Sequence, residues 1–249
     1  MGIRKLNYED EYNKRVAFIK ELVESAHVDG IVFGNSGGKD CALVGILCKA
    51  ACDNTVGIIM PCASKRNYGQ DADDGNAVAK QFNIENRVVD LTPVREAATA
   101  EYEKVTELNS AALTNIAPRL RMTTLYAIAA AENRLVAGTG NRSEIYMGYF
   151  TKWGDGASDF DPISDLTATE VLEFLEYLNA PRCIIDKAPS AGLFDGQTDE
   201  QEMGVSYAAI DRYLLTGEAD EKDLAIIERY HSRSEHKRRP IPTYENSRG

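Results

Sequence analysis

Positive charge is scarce in this chain. The 28 lysines and arginines stand against 39 aspartates and glutamates, a formal net charge of −11. A nucleic-acid surface would need a local basic patch on that acidic background, so nucleic acid is not an expected partner. Long apolar runs are missing as well, which excludes a membrane-spanning helix. The opening residues, MGIRKLNYEDEYNKR, are charged throughout and lack the apolar core of a signal peptide. Five cysteines (Cys41, Cys48, Cys52, Cys62 and Cys183) form no CxxC pair and no zinc spacing. A reducing cytoplasm is the expected setting. With no internal repeat, low-complexity tract or linker, the 249 residues are expected to form one α/β domain.

The most informative stretch is GIVFGNSGGKDCALVGILC, from Gly30 to Cys48. Gly30 to Phe33 is a short β-branched run typical of a buried strand. Gly34, Asn35, Ser36, Gly37 and Gly38 supply turn chemistry. Ala42, Leu43, Ile46 and Leu47 then recur at helical spacing. Strand, glycine-rich turn and helix N-terminus together make an anion site, because unpaired N–H groups point out of the first helical turn. Asp40 is the odd member: a carboxylate beside a phosphate cradle is repulsive unless a cation lies between them, which implies Mg2+. The loop is neither GxxxxGK[ST] nor GxGxxG.

Around it, strands alternate with helices. Tyr8 to His27 predicts an amphipathic helix, Asn54 to Met60 a second strand, Asp71 to Phe82 a helix and Asn86 to Leu91 a third strand. Pro93 to Leu108 and Asn115 to Asn133 predict two more helices, and Arg134 to Gly138 a fourth strand. Such alternation argues for a doubly wound, mostly parallel sheet with helices on both faces, whose ligands sit beyond the strands' carboxyl ends. Asp71, Asp73 and Asp74 fit helix capping better than a metal site. Arg119 and Arg121, placed near a helix start, oppose the dipole there and suit either an anionic partner or plain surface.

Gly138 onward, TGNRSEIYMGYFTKWGDGASDFDPISDL, shows little regular pattern until Thr167. Long irregular segments after strands are commonly functional, and Tyr146, Tyr149, Phe150 and Trp153 argue against disorder. Thr139 lies at the strand's carboxyl end, and Glu144 is positioned to add a second carboxylate to the cation at Asp40. Thr167 with Glu170 makes a capping box for a helix to Leu178. A second Gly- and Asp-rich loop runs from Lys187 to Glu202. Val205 to Leu215 and Glu221 to His231 predict helices. The tail holding His236, Lys237, Arg238 and Arg239 is either a solvated end or a basic strip for a phosphate.

Four motifs together resemble the ammonia-dependent NAD synthetases, a branch of the PP-loop ATP pyrophosphatases. They are SGGKD at Ser36 to Asp40, GTGNRSEIYMGYFTKWGDGASD from Gly138 to Asp159, PSAGLFDGQTDEQEMG from Pro189 to Gly204, and EHKR from Glu235 to Arg238. The resemblance implies an adenine nucleotide alpha hydrolase-like fold, a homodimer, and ATP-dependent amidation of deamido-NAD with ammonia through an adenylated intermediate. It implies ATP contacts from Ser36, Gly37, Gly38, Lys39, Thr139 and Ser190, and magnesium ligands at Asp40 and Glu144. For deamido-NAD it implies Arg119, Tyr126, Tyr149, Phe150, Lys152, Asp159, His236 and Lys237, some of them across the dimer interface. Asp40, Lys152 and Asp155 take the catalytic roles. Two positions depart from the family pattern. Cys41 stands where serine is usual, and Ala168 stands where many members place a lysine facing the ATP phosphates; whether Lys39 or Lys187 compensates is left open. No glutaminase domain is expected. The rivals are a GMP-synthetase-like amidase or tRNA thiolase on the same loop, and a non-catalytic nucleotide sensor.

Overall fold

The computed structural model describes residues 5–62, 69–187 and 199–244. Four strands form one parallel sheet in the order β3-β2-β1-β4, with β1 at Gly30–Gly34, β2 at Thr55–Ile59, β3 at Glu85–Val88 and β4 at Arg134–Ala137. The register pairs Val32 with Val56 on one side and with Val136 on the other. β1 is buried on both faces because its neighbours alternate. Ile31 and Phe33 face α1 (Tyr8–Ala26) and α2 (Lys39–Ala51), whereas Val32 joins Val56, Ile58 and Val136 under α5 (Ser110–Glu132). Helices thus cover both faces, as a parallel sheet requires. The chain reverses its winding direction between β1 and β4, and both of these strands point their carboxyl ends at one crevice.

Between β2 and α5 lie α3 (Gln70–Phe82) and α4 (Thr92–Tyr102). Beyond β4, α6 (Arg142–Met147) is followed by α7 (Ala168–Tyr177) and α8 (Arg182–Ile185), then α9 (Asp199–Met203) and α10 (Tyr207–Thr216). Finally, α11 (Glu221–Arg233) leads into the one-turn α12 (Glu235–Arg238). Met147, Met203, Tyr207, Ile210 and Ile227 close a smaller apolar cluster among α6, α9, α10 and α11.

The capping box at α7 forms as expected. Thr167 Oγ1 accepts from Glu170 N at 3.3 Å and Glu170 Oε2 accepts from Thr167 N at 2.8 Å, with Thr167 fully buried. Thr167→Ala is therefore expected to lower unfolding stability by about 1–2 kcal/mol, read as a lower urea midpoint at unchanged m. An unchanged midpoint would remove the cap from the account of this helix.

Three expectations are corrected. α5 begins at Ser110, where the Asn109 side chain accepts from Ala112 N at 2.9 Å, so Arg119 and Arg121 lie in its third and fourth turns, clear of the dipole's positive end. Pro118, which suits a helix start, sits inside this helix instead. The Asp71 cluster does not cap α3, whose N-cap is Gly69; Asp71 and Asp74 pair with Lys187. The segment after Gly138 is less irregular than its composition suggests, since Asn141 and Glu144 build a reciprocal capping box for α6. That Asn-x-x-Glu spacing was visible in the sequence.

Candidate active site

The turn after β1 brings the Ser36 loop to the crevice, and α2 starts directly behind it with Gly38 as its N-cap. Gly37 has φ +68, the left-handed region that glycine enters without penalty. Its missing side chain matters twice over, because a Cβ there would lie 2.1 Å from the Asp71 carbonyl oxygen. Cys41 substitutes sulfur chemistry for a hydroxyl. Its Sγ accepts from Gly38 N at 3.3 Å and lies 3.2 Å from Ser36 Oγ, while burial pushes the thiol pKa up. Cys41 is thus a buried, protonated brace of the loop.

Asp40 projects from the first turn of α2, and Glu144 from α6, 104 positions later in the chain but on the same cavity wall. Asn141 ties them together. Its Nδ2 donates to Asp40 Oδ1 at 3.0 Å, and its backbone N–H donates to Glu144 Oε2 at 3.1 Å. Burial raises the Asp40 pKa to about 6, against the lowering effect of the Asn141 bond. Glu144 is pushed well above the usual carboxylate range by burial first and by the Asp40 charge second. Asp199 adds negative charge to both. Carboxylates that are costly to ionise together form a donor set for a hard cation, which would relieve both penalties at once. Among the described residues no cluster of three His, Cys, Asp or Glu could hold a metal unaided. Asp40 and Glu144 would therefore share such a cation with oxygens from water or ligand.

These groups line a cavity of about 1300 Å3. Ser36, Gly38, Lys39 and Thr139 face it at one end; Tyr149, Phe150, Asp155 and Lys237 face it elsewhere on its wall. Asp155 is an exposed residue on the cavity wall. Desolvation by the surrounding protein raises its pKa, and the Thr151 N–H at 3.0 Å acts against the rise. Lys237 lies over the Phe150 ring at 5.1 Å and donates to the carbonyls of Gly148 at 2.7 Å and Phe150 at 2.5 Å, with its pKa lowered by burial. Lys237 and Arg238 are thus held against the site wall, whereas His236 and Arg239 are exposed. Tyr149 donates to Glu202 at 2.7 Å.

Gly37 backs the loop, and five other expected residues lie off the cavity wall. Tyr126 donates to Asp159 at 3.2 Å, Arg119 donates to the Lys152 carbonyl at 3.4 Å, and Lys152 donates to the carbonyl of exposed His236 at 2.7 Å. They form a polar rim outside it. Ser190 and most of the Pro189 to Gly204 motif lie outside the described residues. Sequence reasoning missed Asn141 and Asp161, whose carboxylate accepts from Gly140 N at 2.9 Å. It also missed Arg229 and Arg233, one turn apart on α11 and both on the cavity wall. Only the i,i+4 spacing signals the two arginines, and it does so weakly.

A sequence model of the family described as NAD synthase matches residues 11–242. The NH(3)-dependent NAD(+) synthetase of Carboxydothermus hydrogenoformans is 47% identical over 238 residues, covering 94% of this chain and 97% of the relative. Among solved structures, the NMN synthetase of Francisella tularensis superposes with a TM-score of 0.91 at 38% identity, covering 97% of this chain and 100% of that one. The NH3-dependent NAD synthetase of Campylobacter jejuni superposes at 0.78 with 29% identity, covering 97% and 100%.

Proposed function

Because the chain belongs to the NAD synthase family, we propose that it is an ammonia-dependent synthetase that amidates the nicotinate carboxylate of deamido-NAD at the expense of ATP. The observation that carries this reading is the Asp40–Asn141–Glu144 bridge, which sets two cavity-facing carboxylates beside the glycine loop. A nucleotide sensor has no use for such a pair. A carboxylate is a poor electrophile until one oxygen becomes a leaving group. Adenylation supplies that: the nicotinate oxygen attacks the α-phosphorus of ATP and pyrophosphate departs. Ammonia then adds to the acyl carbon, AMP leaves with the oxygen, and a proton is lost from nitrogen.

The protein's part is positioning and charge control. The Ser36 loop and the start of α2 hold the polyphosphate. Asp40 and Glu144 would hold Mg2+, which would neutralise phosphate charge and favour pyrophosphate departure. Asp155, on the cavity wall and with a raised pKa, is suited to take the proton from the attacking ammonia. Lys152 and the rim residues Arg119, Tyr126, Asp159 and His236 hold the remainder of the nucleotide. Arg119 and Tyr126 of the rim lie on α5. A homodimer joined near α5 would complete the rim. The chain acts as one synthetase domain with free ammonia as nitrogen donor. No helix among the described residues is long and apolar enough to cross a membrane, which accords with a cytoplasmic enzyme.

A second reading keeps the chemistry and shortens the acceptor. The superposition on the Francisella NMN synthetase is tighter than that on the Campylobacter NAD synthetase, 0.91 against 0.78. The acceptor would then be the mononucleotide acid, without the adenylate half. One assay separates the two: kcat/KM for deamido-NAD and for deamido-NMN, each with ATP, magnesium and ammonium, with pyrophosphate followed in parallel. The proposal expects the dinucleotide to be favoured by at least tenfold, about 1.4 kcal/mol. The reverse ratio establishes the shorter acceptor. Pyrophosphate released without either amide would reject both.

A further inference from the structure

Against the glycine loop, on the cavity wall, sits a lysine whose ammonium is fully occupied. Lys187, two residues past α8, donates from Nζ to the Gly37 carbonyl at 2.9 Å, to Asp71 Oδ1 at 2.8 Å and to Asp74 Oδ2 at 2.7 Å. An ammonium has three N–H bonds, so none remains for a ligand. All three side chains are nearly enclosed, at 10%, 10% and 7% exposure for Lys187, Asp71 and Asp74. Asp71 and Asp74 lie three residues apart on α3 and so share a face. The Cys183 thiol also donates to Asp74, and the Lys187 carbonyl accepts from Lys39 Nζ.

Lys187 performs two jobs at once. It fixes the Gly37 carbonyl while Asn35 Oδ1 accepts the Gly37 N–H at 3.3 Å, so both backbone polar atoms of Gly37 are held by side chains. It also cancels the charge of two carboxylates beside the place where a polyphosphate would lie. Left uncompensated, that charge would repel the nucleotide through a poorly screened interior.

We propose that Lys187 is a positioning residue for the phosphate loop, holding the Gly37 peptide and neutralising Asp71 and Asp74 rather than touching ATP. The proposal rests on reading the Ser36 loop as the polyphosphate site. It answers, for Lys187, the open question of a cation that compensates for Ala168: this lysine supports the loop and leaves the phosphates to other groups.

The test is calorimetric binding of the non-hydrolysable analogue α,β-methylene ATP, with magnesium, to wild type and three variants. Lys187→Met is expected to weaken binding about 30-fold, because it strands two buried carboxylates. The triple variant K187M/D71N/D74N is expected to return to within about fivefold of wild type, since the repulsion goes with the charges. D71N/D74N alone is expected to bind similarly. If Lys187 contacts phosphate, the triple variant stays about as weak as K187M, and the proposal is overturned; wild-type affinity in K187M overturns it too. Should K187M fail to fold, comparing D71N/D74N with the triple variant decides the matter: equal affinities support the positioning role, and a loss of about 30-fold on removing the lysine refutes it. Wild-type protein that fails to bind the analogue leaves no site to position and also refutes it. A wild type that binds the analogue but amidates neither acceptor sinks the synthetase reading and leaves the Lys187 result legible.

Discussion

Replacing Asp40 by asparagine is expected to reduce kcat/KM about 1000-fold, roughly 4 kcal/mol of transition-state stabilisation. The substitution keeps shape and can keep the bond from Asn141 Nδ2, now 3.0 Å from Asp40 Oδ1, so the change is confined to charge. What it removes is half of the donor pair for a divalent cation. The same variant is expected to melt higher than wild type in the presence of a chelator, because burial and mutual repulsion make the Asp40–Glu144 pair costly. The sign follows from linkage. A carboxyl held at about 6 in the folded state, against an ordinary value of 3.8, binds its proton more tightly folded than unfolded. Metal-free wild type should therefore lose stability as pH rises from about 4 through about 6, and Asp40→Asn should lose part of that slope. Thermal melts between about pH 4 and about 7 with a chelator, alongside the amidation assay, test both halves. Activity within tenfold of wild type would remove Asp40 from the reacting centre.

Gly37→Ala is the second large effect, and its cause is backbone geometry rather than charge. At φ +68 an alanine carries a conformational penalty of about 1–2 kcal/mol. Its Cβ would also meet the Asp71 carbonyl oxygen at 2.1 Å, a backbone atom that can retreat only if the start of α3 moves. Movement there pulls on the Lys187 bridge and on the loop together. The expected result is a loss of ATP affinity of 100-fold or more, about 2.7 kcal/mol, with a melting temperature lower by roughly 5–10 °C. Gly38→Ala is the control. Gly38 has φ −91, and a Cβ there would meet only the rotatable Ser36 hydroxyl, at 3.2 Å. Its stability should change by less than about 1 kcal/mol. Equal behaviour of the two variants would show that the left-handed turn is not what shapes the loop.

Much of this was legible in the residues because the signals are local. Gly30 to Phe33 followed by Ser36 to Asp40 predicts strand, anion loop and helix from periodicity and turn chemistry alone, and those elements form at β1 and α2. Thr167 and Glu170 announced their own helix start. Where a local signal had two readings, the sequence could not choose. Pro118 suits a first turn, yet the Asn109 cap lies nearly ten positions earlier and α5 runs through the proline. Three aspartates at the head of a helix suit capping, yet Asp71 and Asp74 are taken by a lysine more than 110 positions away.

By itself, then, the sequence determined the order of strands and helices and the glycine-rich turn between β1 and α2. Each of these depends on neighbours within a turn or two of chain. Tertiary structure alone decided that Asn141 bridges Asp40 to Glu144, that Lys187 is held by Gly37, Asp71 and Asp74 beside the loop, and that Arg119 and Tyr126 lie off the cavity wall. Those outcomes depend on which buried polar group finds a partner across the fold, and burial is a property of the packed chain.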